Sequence, residues 1–369
     1  MIRIIIPLLL LLLLLPLTAR AKGSTMPWVR VAADRKGFVL EPGDAPFVPW
    51  GFNYDHDDAG RLLEDYWEAD WPAVETHFSQ MKTMGANVVR VHLQIGAFME
   101  SPTKPRTKSL DRLARLARLA ERLGLYLDLT GLGCYDAQAV PAWYTNLPEQ
   151  ARWDVQTRFW RSVAKKVRNS PAVFCFDLMN EPVVSGTPRK DGDWLAPPFG
   201  GKSFVQFINL DPKGRARPAI AQAWMRRMVS AIRKVDRRHL VTVGLIDWNS
   251  EHPGALSGFV PEVVAPELDF VSVHVYPEKG KVDEAVQAMR HIDVNRPILV
   301  EEMFPLHCSV QELEEFIDRT KGTVAGWIGF YWGKPPDQLR QSGTIGDAIT
   351  LAWLELFEKK AAEMKAAPS

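Results

Sequence analysis

A single (β/α)8 barrel is the fold class this sequence predicts, and three observations predict it. From residue 47 onward, short β-branched and apolar runs alternate with amphipathic stretches, as in repeated βα units around a parallel sheet. About eight such runs occur, with no break in composition between them. The ~348 residues that follow an N-terminal leader are enough for one large barrel.

The elements follow in chain order. Met1-Ile2-Arg3 is a short basic start, Ile4 to Leu17 is almost unbroken apolar sequence, and Ala19-Arg20-Ala21 has small residues where a signal peptidase reads. This order predicts a secretory signal peptide over 1–21, with a retained membrane anchor the alternative; the apolar run is short for a spanning helix, which needs about 20 apolar residues. Residues 22–46, with Gly37, Pro42 and Gly43 as turn formers, predict a lead-in hairpin closing the bottom of a barrel over 47–362. The strand candidates are Phe47–Asn53, Asn87–Leu93, Leu125–Thr130, Val173–Met179, Leu240–Ile246, Phe270–Tyr276, Ile298–Glu302 and Val324–Trp332. Between them, Leu110 to Leu123, 149–168, 217–235 and Asp347 to Lys360 show helical periodicity. Residues 363–369 read as a fraying tail. The longest irregular stretch, Val183 to Arg217, follows the fourth strand, on the barrel face where active sites are built.

Composition narrows the function. The formal charge is +1, so nothing marks the chain for nucleic acid, and a neutral polymer is the more natural partner. The three cysteines, Cys134, Cys175 and Cys308, are too few for a disulfide framework and match no zinc spacing. Cys175 reads as a core residue, and a Cys134–Cys308 bridge is compatible with the count.

Polar residues gather at the C-terminal ends of the strands. The fourth runs into Asn180-Glu181-Pro182, where proline stops the ladder and leaves Glu181 at the mouth. The seventh ends in Glu301-Glu302, the sixth in His274-Val275-Tyr276, and the second holds Arg90-Val91-His92, the i, i+2 pairs each sharing one face. The eighth ends in Tyr331-Trp332. Any one of these alone reads as a solvated strand end or a satisfied core residue; together they mark one rim. His92 serves equally as network support or barrel filling. The Tyr54-Asp55-His56-Asp57-Asp58 loop reads as substrate contact or solvated surface rather than metal ligands, because adjacent residues rarely converge on one ion.

Cys175-to-Pro182, Asp269-to-Pro277 and Arg296-to-Met303, in this order and spacing, resemble glycoside hydrolase family 5 of clan A over nearly the whole chain after the leader. The resemblance implies a retaining hydrolase of β-glycosidic bonds in a poly- or oligosaccharide of β-mannan or β-glucan type. It makes Glu181 the general acid/base and Glu302 the nucleophile. Asn180 then binds the sugar 2-hydroxyl, and Arg90, His274, Tyr276 and Trp332 match further site positions. Glu302 is preferred to Glu301 because the family's nucleophile directly precedes a large apolar or aromatic residue, and because strand alternation should turn the two carboxylates to opposite faces. Thr130 and the paired glutamates are similar to the β-mannanase branch, whereas Met303-Phe304 departs from the family's usual aromatic-Gly.

Retention needs two carboxyl groups in opposite protonation states, about 5–5.5 Å apart. Arg90 and Tyr276 would favour the ionised form of Glu302, and burial with the charge of Glu302 would keep Glu181 protonated. Trp67, Trp143, Trp194, Trp248 and Trp332, among 13 tryptophans, are the candidate sugar platforms, with loop-pinning the competing role for Trp67 and Trp143. The expected protein is secreted or periplasmic and monomeric, needs no cofactor or metal, and contacts neither nucleic acid nor, once processed, membrane. A non-catalytic carbohydrate-binding barrel is the alternative.

Overall fold

Eight parallel strands close on themselves in the computed structural model, which describes residues 26–246, 256–292, 294–330 and 332–366. The expected leader, Trp248 and Tyr331 lie outside the described residues. In chain order the strands are β1 (Trp28–Val31), β2 (Phe38–Glu41), β3 (Ala45–Phe47), β4 (Trp50–Tyr54), β5 (Val88–Gln94), β6 (Tyr126–Gly133), β7 (Val173–Asn180), β8 (Pro182–Val183), β9 (Gln206–Phe207), β10 (Leu240–Leu245), β11 (Val271–His274), β12 (Ile298–Glu302) and β13 (Gly326–Gly329). The barrel runs β4-β5-β6-β7-β10-β11-β12-β13 and back to β4. Every residue of these eight strands is buried, which is why they appear in the sequence as near-continuous apolar runs rather than alternating ones.

The lead-in is an antiparallel three-stranded sheet, β1-β2-β3. Phe38 meets Phe174 and Phe270 edge-on at ring-centroid distances of 5.0 and 5.1 Å, and Phe47 meets Tyr126 at 4.8 Å. These rings form a second apolar cluster with Val88, Leu240 and Leu299, at the N-terminal ends of the barrel strands. The opposite end is thereby left open for polar chemistry.

Helices cover the outside. In the Thr107–Leu123 helix, Leu113, Leu116, Ala117 and Ala120 form the buried face, and Gly124 ends it in a left-handed conformation with φ 63°. The last helix, Ile345–Ala366, runs well into the segment expected to fray. The Val183–Arg217 stretch carries more order than its composition suggests: β8 pairs with β9, and Trp194 donates its indole N–H to the Thr145 carbonyl at 2.9 Å. All three cysteines are free, so the Cys134–Cys308 bridge does not form.

Candidate active site

Glu181 is set by backbone strain. It follows the last residue of β7 with φ 46°, a left-handed conformation uncommon for a side-chain-bearing residue. Its N–H donates to the Gly244 carbonyl at 3.0 Å, and its own carbonyl accepts from Gln206 N–H at 3.4 Å. Two neighbouring segments therefore hold the turn, and the carboxylate accepts from His274 Nδ1 at 2.9 Å.

Glu302 ends β12. Arg90 Nη1 donates to its Oε1 at 2.6 Å and the Tyr276 hydroxyl to its Oε2 at 2.7 Å. An oxygen of Glu181, an oxygen of Glu302 and a ring nitrogen of His274 all lie within 4.8 Å of one another. Glu181, Glu302, Asn180, Tyr276 and His92 line one cavity of about 410 Å³, while Arg90 and His274 stand behind its wall. Six of the seven residues to which the resemblance gives site roles thus meet at one place, Trp332 being the exception.

Arg90 is the hub. Besides Glu302 it donates to Asn53 Oδ1 at 2.9 Å, Asp177 Oδ2 at 2.7 Å and Asn180 Oδ1 at 2.9 Å, and it lies 3.5 Å from Glu301. Asn53 in turn donates to the Glu301 carbonyl at 2.9 Å and lies 3.2 Å from His92 Nε2. Contrary to the alternation argument, Glu301 and Glu302 do not point to opposite faces: Glu301 contacts Arg90 and also lies 3.5 Å from His274. The register between β11 and β12 shifts here, Val273 pairing with Val300 but His274 with Glu302. Such a bulge re-aims side chains at a strand end. Glu302 lines the cavity, whereas Glu301 is fully buried beneath it, accepting from Ser272 Oγ at 3.0 Å.

Burial and charge sort these groups. Burial opposes the charge of His274, but Glu302, Glu181 and Glu301 overcome it and push its pKa up to about 10, so the ring is an imidazolium at neutral pH. Burial, Arg90 and His274 keep His92 well below the usual histidine range, hence neutral. Burial raises Glu302 while His274, Arg90 and Tyr276 pull it down and Glu181 pushes it up; the net direction is upward, so Arg90 and Tyr276 offset burial rather than leaving a low carboxylate. Beneath, burial and the neighbouring acids Glu301 and Asp177 raise Asp128 well above its ordinary range. Glu301, despite burial, is held at about 2 by Arg90, His274 and Asp128.

Among the described residues, two trios of acids or histidine are close enough to share a metal: Glu181-His274-Glu302 and Asp128-Asp177-Glu301. In the first, His274 Nδ1 already bonds Glu181; in the second, Arg90 already supplies the cation to Asp177 and Glu301.

Gly244, not singled out by the sequence, joins the two layers. Its N–H donates to Asp177 Oδ1 at 2.8 Å and its carbonyl receives Glu181 N–H. A Cβ there would sit 2.8 Å from Glu301 Oε2 and His274 Nε2 and 2.9 Å from Arg90 Nη2. Gly244→Ala is therefore expected to cost about 1–3 kcal/mol of stability through overpacking and to disturb Glu181 and Arg90 together. Melting and any measured turnover should both fall; an alanine variant matching wild type in both would refute this linking role.

Trp332, expected as a sugar platform, does not line the cavity. β13 ends at Gly329, so Trp332 lies past the strand, donating its backbone N–H to the Asn53 carbonyl at 3.3 Å and packing its buried ring near Phe52 at 5.4 Å. Trp67 and Trp194 are buried in loop anchors, and Trp143 packs on the core. Phenylalanines line the cavity instead: Phe199, Phe204, Phe304 and Phe330. In the loop after β4, Asp57 Oδ1 accepts from Ala59 and Arg61 N–H, and Asp55 lies 2.8 Å from His56; both acids are buried rather than solvated, and neither lines the cavity.

With this geometry in place, the kinship of the chain can be stated. A family model described as cellulase (glycosyl hydrolase family 5) matches residues 52–334, well over half of the chain. A mannan endo-1,4-β-mannosidase A of Podospora anserina is 24% identical over 274 residues, covering 66% of this chain and 64% of that protein. The corresponding Aspergillus aculeatus enzyme is 22% identical over 328 residues, 78% of each. The chain spans less than two thirds of the Podospora relative's length and 33% of that of a rice mannan endo-1,4-β-mannosidase. Among solved structures, an exo-β-1,4-mannosidase of Opitutaceae bacterium strain TAV5 superposes with TM-score 0.67 at 17% identity, covering 92% of this chain and 63% of the other. An endo-1,4-β-mannanase of Rhizomucor miehei gives 0.61 at 17% identity, covering 91% and 99%. With the barrel, the paired strand-end glutamates and a family match spanning most of the strands, this chain belongs to the cellulase family, glycosyl hydrolase family 5.

Proposed function

We propose that this protein is a retaining hydrolase of β-glycosidic bonds, with β-mannosides the first class to test, since its curated relatives are named as mannan endo-1,4-β-mannosidases. One observation carries the mechanism: oxygens of Glu181 and Glu302 lie within 4.8 Å of one another. Inverting enzymes keep their carboxyl groups ~6.5–9.5 Å apart to admit a water between acid and base, whereas retaining ones close to ~5–5.5 Å.

The steps follow from the contacts. A Glu302 oxygen attacks the anomeric carbon as the bond from that carbon to the leaving oxygen breaks, and Glu181 gives its proton to that oxygen. The resulting ester to Glu302 carries no charge. Water then attacks the anomeric carbon, Glu181 takes its proton, and Glu302 leaves as a carboxylate. Arg90 and the Tyr276 hydroxyl hold both oxygens of Glu302, aiming it and receiving its charge when it departs. His274 Nδ1, 2.9 Å from Glu181 Oε1, fixes that side chain. Asn180, tied by Arg90 through Oδ1 and bonded to the Phe204 carbonyl at 3.3 Å, is the residue assigned to the sugar 2-hydroxyl; its fixed position in the cavity wall supports that role. The N-terminal residues support action outside the cytoplasm, secreted or periplasmic.

The test is a panel of aryl β-glycosides with β-mannan, β-glucan and xylan, read by reducing-end release and by NMR of the anomer first formed. Turnover of a β-mannoside with retention is expected. Inverted product would sink the mechanism, and binding without turnover on any member would favour a carbohydrate-binding barrel.

A further inference from the structure

The catalytic groups occupy only the floor of the cavity, and the walls above them are apolar. The loop between β8 and β9 supplies Pro197, Phe199 and Phe204, and the segments after β12 and β13 supply Phe304, Leu306 and Phe330. Two polar residues share this upper part, Asp347 and Thr350 of the last helix, and each already holds an intramolecular partner. Asp347 accepts from the Ser342 hydroxyl and lies 3.5 Å from Lys334 Nζ, and Thr350 donates its hydroxyl to the Gly346 carbonyl at 3.0 Å.

A sugar ring placed against this wall would lose the hydrogen bonds its hydroxyls make to water and find few replacements. Burying such groups unpaired is costly, whereas hydrocarbon gains in proportion to the area covered. The apolar surface also continues outward. Among the described residues, six large hydrophobic side chains are exposed, and two of them, Phe199 at 68% and Leu306 at 46%, line this cavity. Isolated apolar residues on a surface need no explanation, but a set joined to a catalytic cavity marks a binding surface.

We infer that the leaving group favoured here is an apolar body, an alkyl chain or hydrocarbon ring carried on a β-linked sugar, rather than a further sugar residue. The inference rests on the hydrolase reading and specifies the substrate of that same site. The wall begins at the two glutamates, so whatever fills it is attached to the sugar they cleave.

An alkyl series separates this effect from chemistry, because ethyl, butyl, hexyl and octyl β-mannosides have leaving groups of nearly equal basicity. Below the concentrations at which the longer members form micelles, kcat/KM should rise by about 30-fold or more from ethyl to octyl, given the gain per buried methylene. In the Phe199→Ser/Leu306→Ser variant the octyl-to-ethyl ratio should drop towards one. A flat series on an active enzyme, with mannotetraose cleaved faster than the octyl mannoside, overturns the inference and leaves the hydrolase standing. So does a double variant that loses binding to phosphatidylcholine vesicles but keeps the octyl-to-ethyl ratio, because the rim would then serve a membrane. No turnover with any glycoside overturns both.

Discussion

Glu302→Ala is expected to lower turnover by on the order of 10⁴-fold or more, roughly 5 kcal/mol of barrier, because the covalent half of the mechanism disappears. Added azide should restore part of the rate by occupying the vacated space, and the glycosyl azide should have inverted configuration. Glu181→Ala should behave in the opposite sense. Its first step slows by ~10²–10⁴-fold on substrates whose leaving group needs a proton, but much less on aryl glycosides that leave unaided. Azide then attacks the glycosyl-enzyme from the water's side and gives a retained product. The stereochemistry of the two azides, read by NMR, therefore assigns the roles independently of rates. Exchanged configurations, retained from Glu302→Ala and inverted from Glu181→Ala, would show that the roles have been misassigned. Glu302→Gln, which keeps shape for Arg90 and Tyr276, separates lost chemistry from lost folding: it should be as inactive as the alanine variant while melting closer to wild type.

The strands were legible because each is buried on both faces, and the strand-mouth residues because a proline or a doubled acid marks where a ladder stops. The expected eighth strand, Val324–Trp332, continues three residues past the observed end at Gly329, which is why Trp332 reads as the strand-mouth aromatic whereas Phe330 is the one that lines the cavity. Side chains beyond a strand end no longer obey its alternation. Glu301 was misdirected for a related reason, since a bulge is a relation between two strands and leaves no mark in either one. Asn53, Asp128 and Gly244 escaped notice altogether. Each lies within a run whose pattern explains it as core, and its role appears only when β4, β6 and β10 are brought around Arg90. Charge at the rim can be recognised from one strand; charge in the barrel interior depends on all eight.

That interior makes the second strong prediction. Arg90 faces Asp177, Glu301 and Glu302 at 2.7, 3.5 and 2.6 Å with no solvent exposure. Arg90→Met leaves those acids with His274 as the cation among them. Removing one partner of a buried ion pair typically costs ~3–5 kcal/mol, and natural domains have only about 5–15 to lose, so a large drop in melting temperature is expected along with loss of turnover. Asp128→Asn should contrast with it. In the folded protein burial, Glu301 and Asp177 keep Asp128 protonated, so asparagine replaces a neutral group by one of like shape that can still donate to Glu301. The sign of the pH effect is fixed by linkage. A raised carboxyl holds its proton in the folded state after the unfolded chain has released it, so its stability contribution is full below the ordinary value of 3.8 and declines as pH rises. The asparagine variant lacks that decline, and its melting temperature relative to wild type should climb from about pH 4 to pH 8. A difference independent of pH would mean that Asp128 is ionised in the fold, leaving Arg90 to balance one more charge than this arrangement assigns to it.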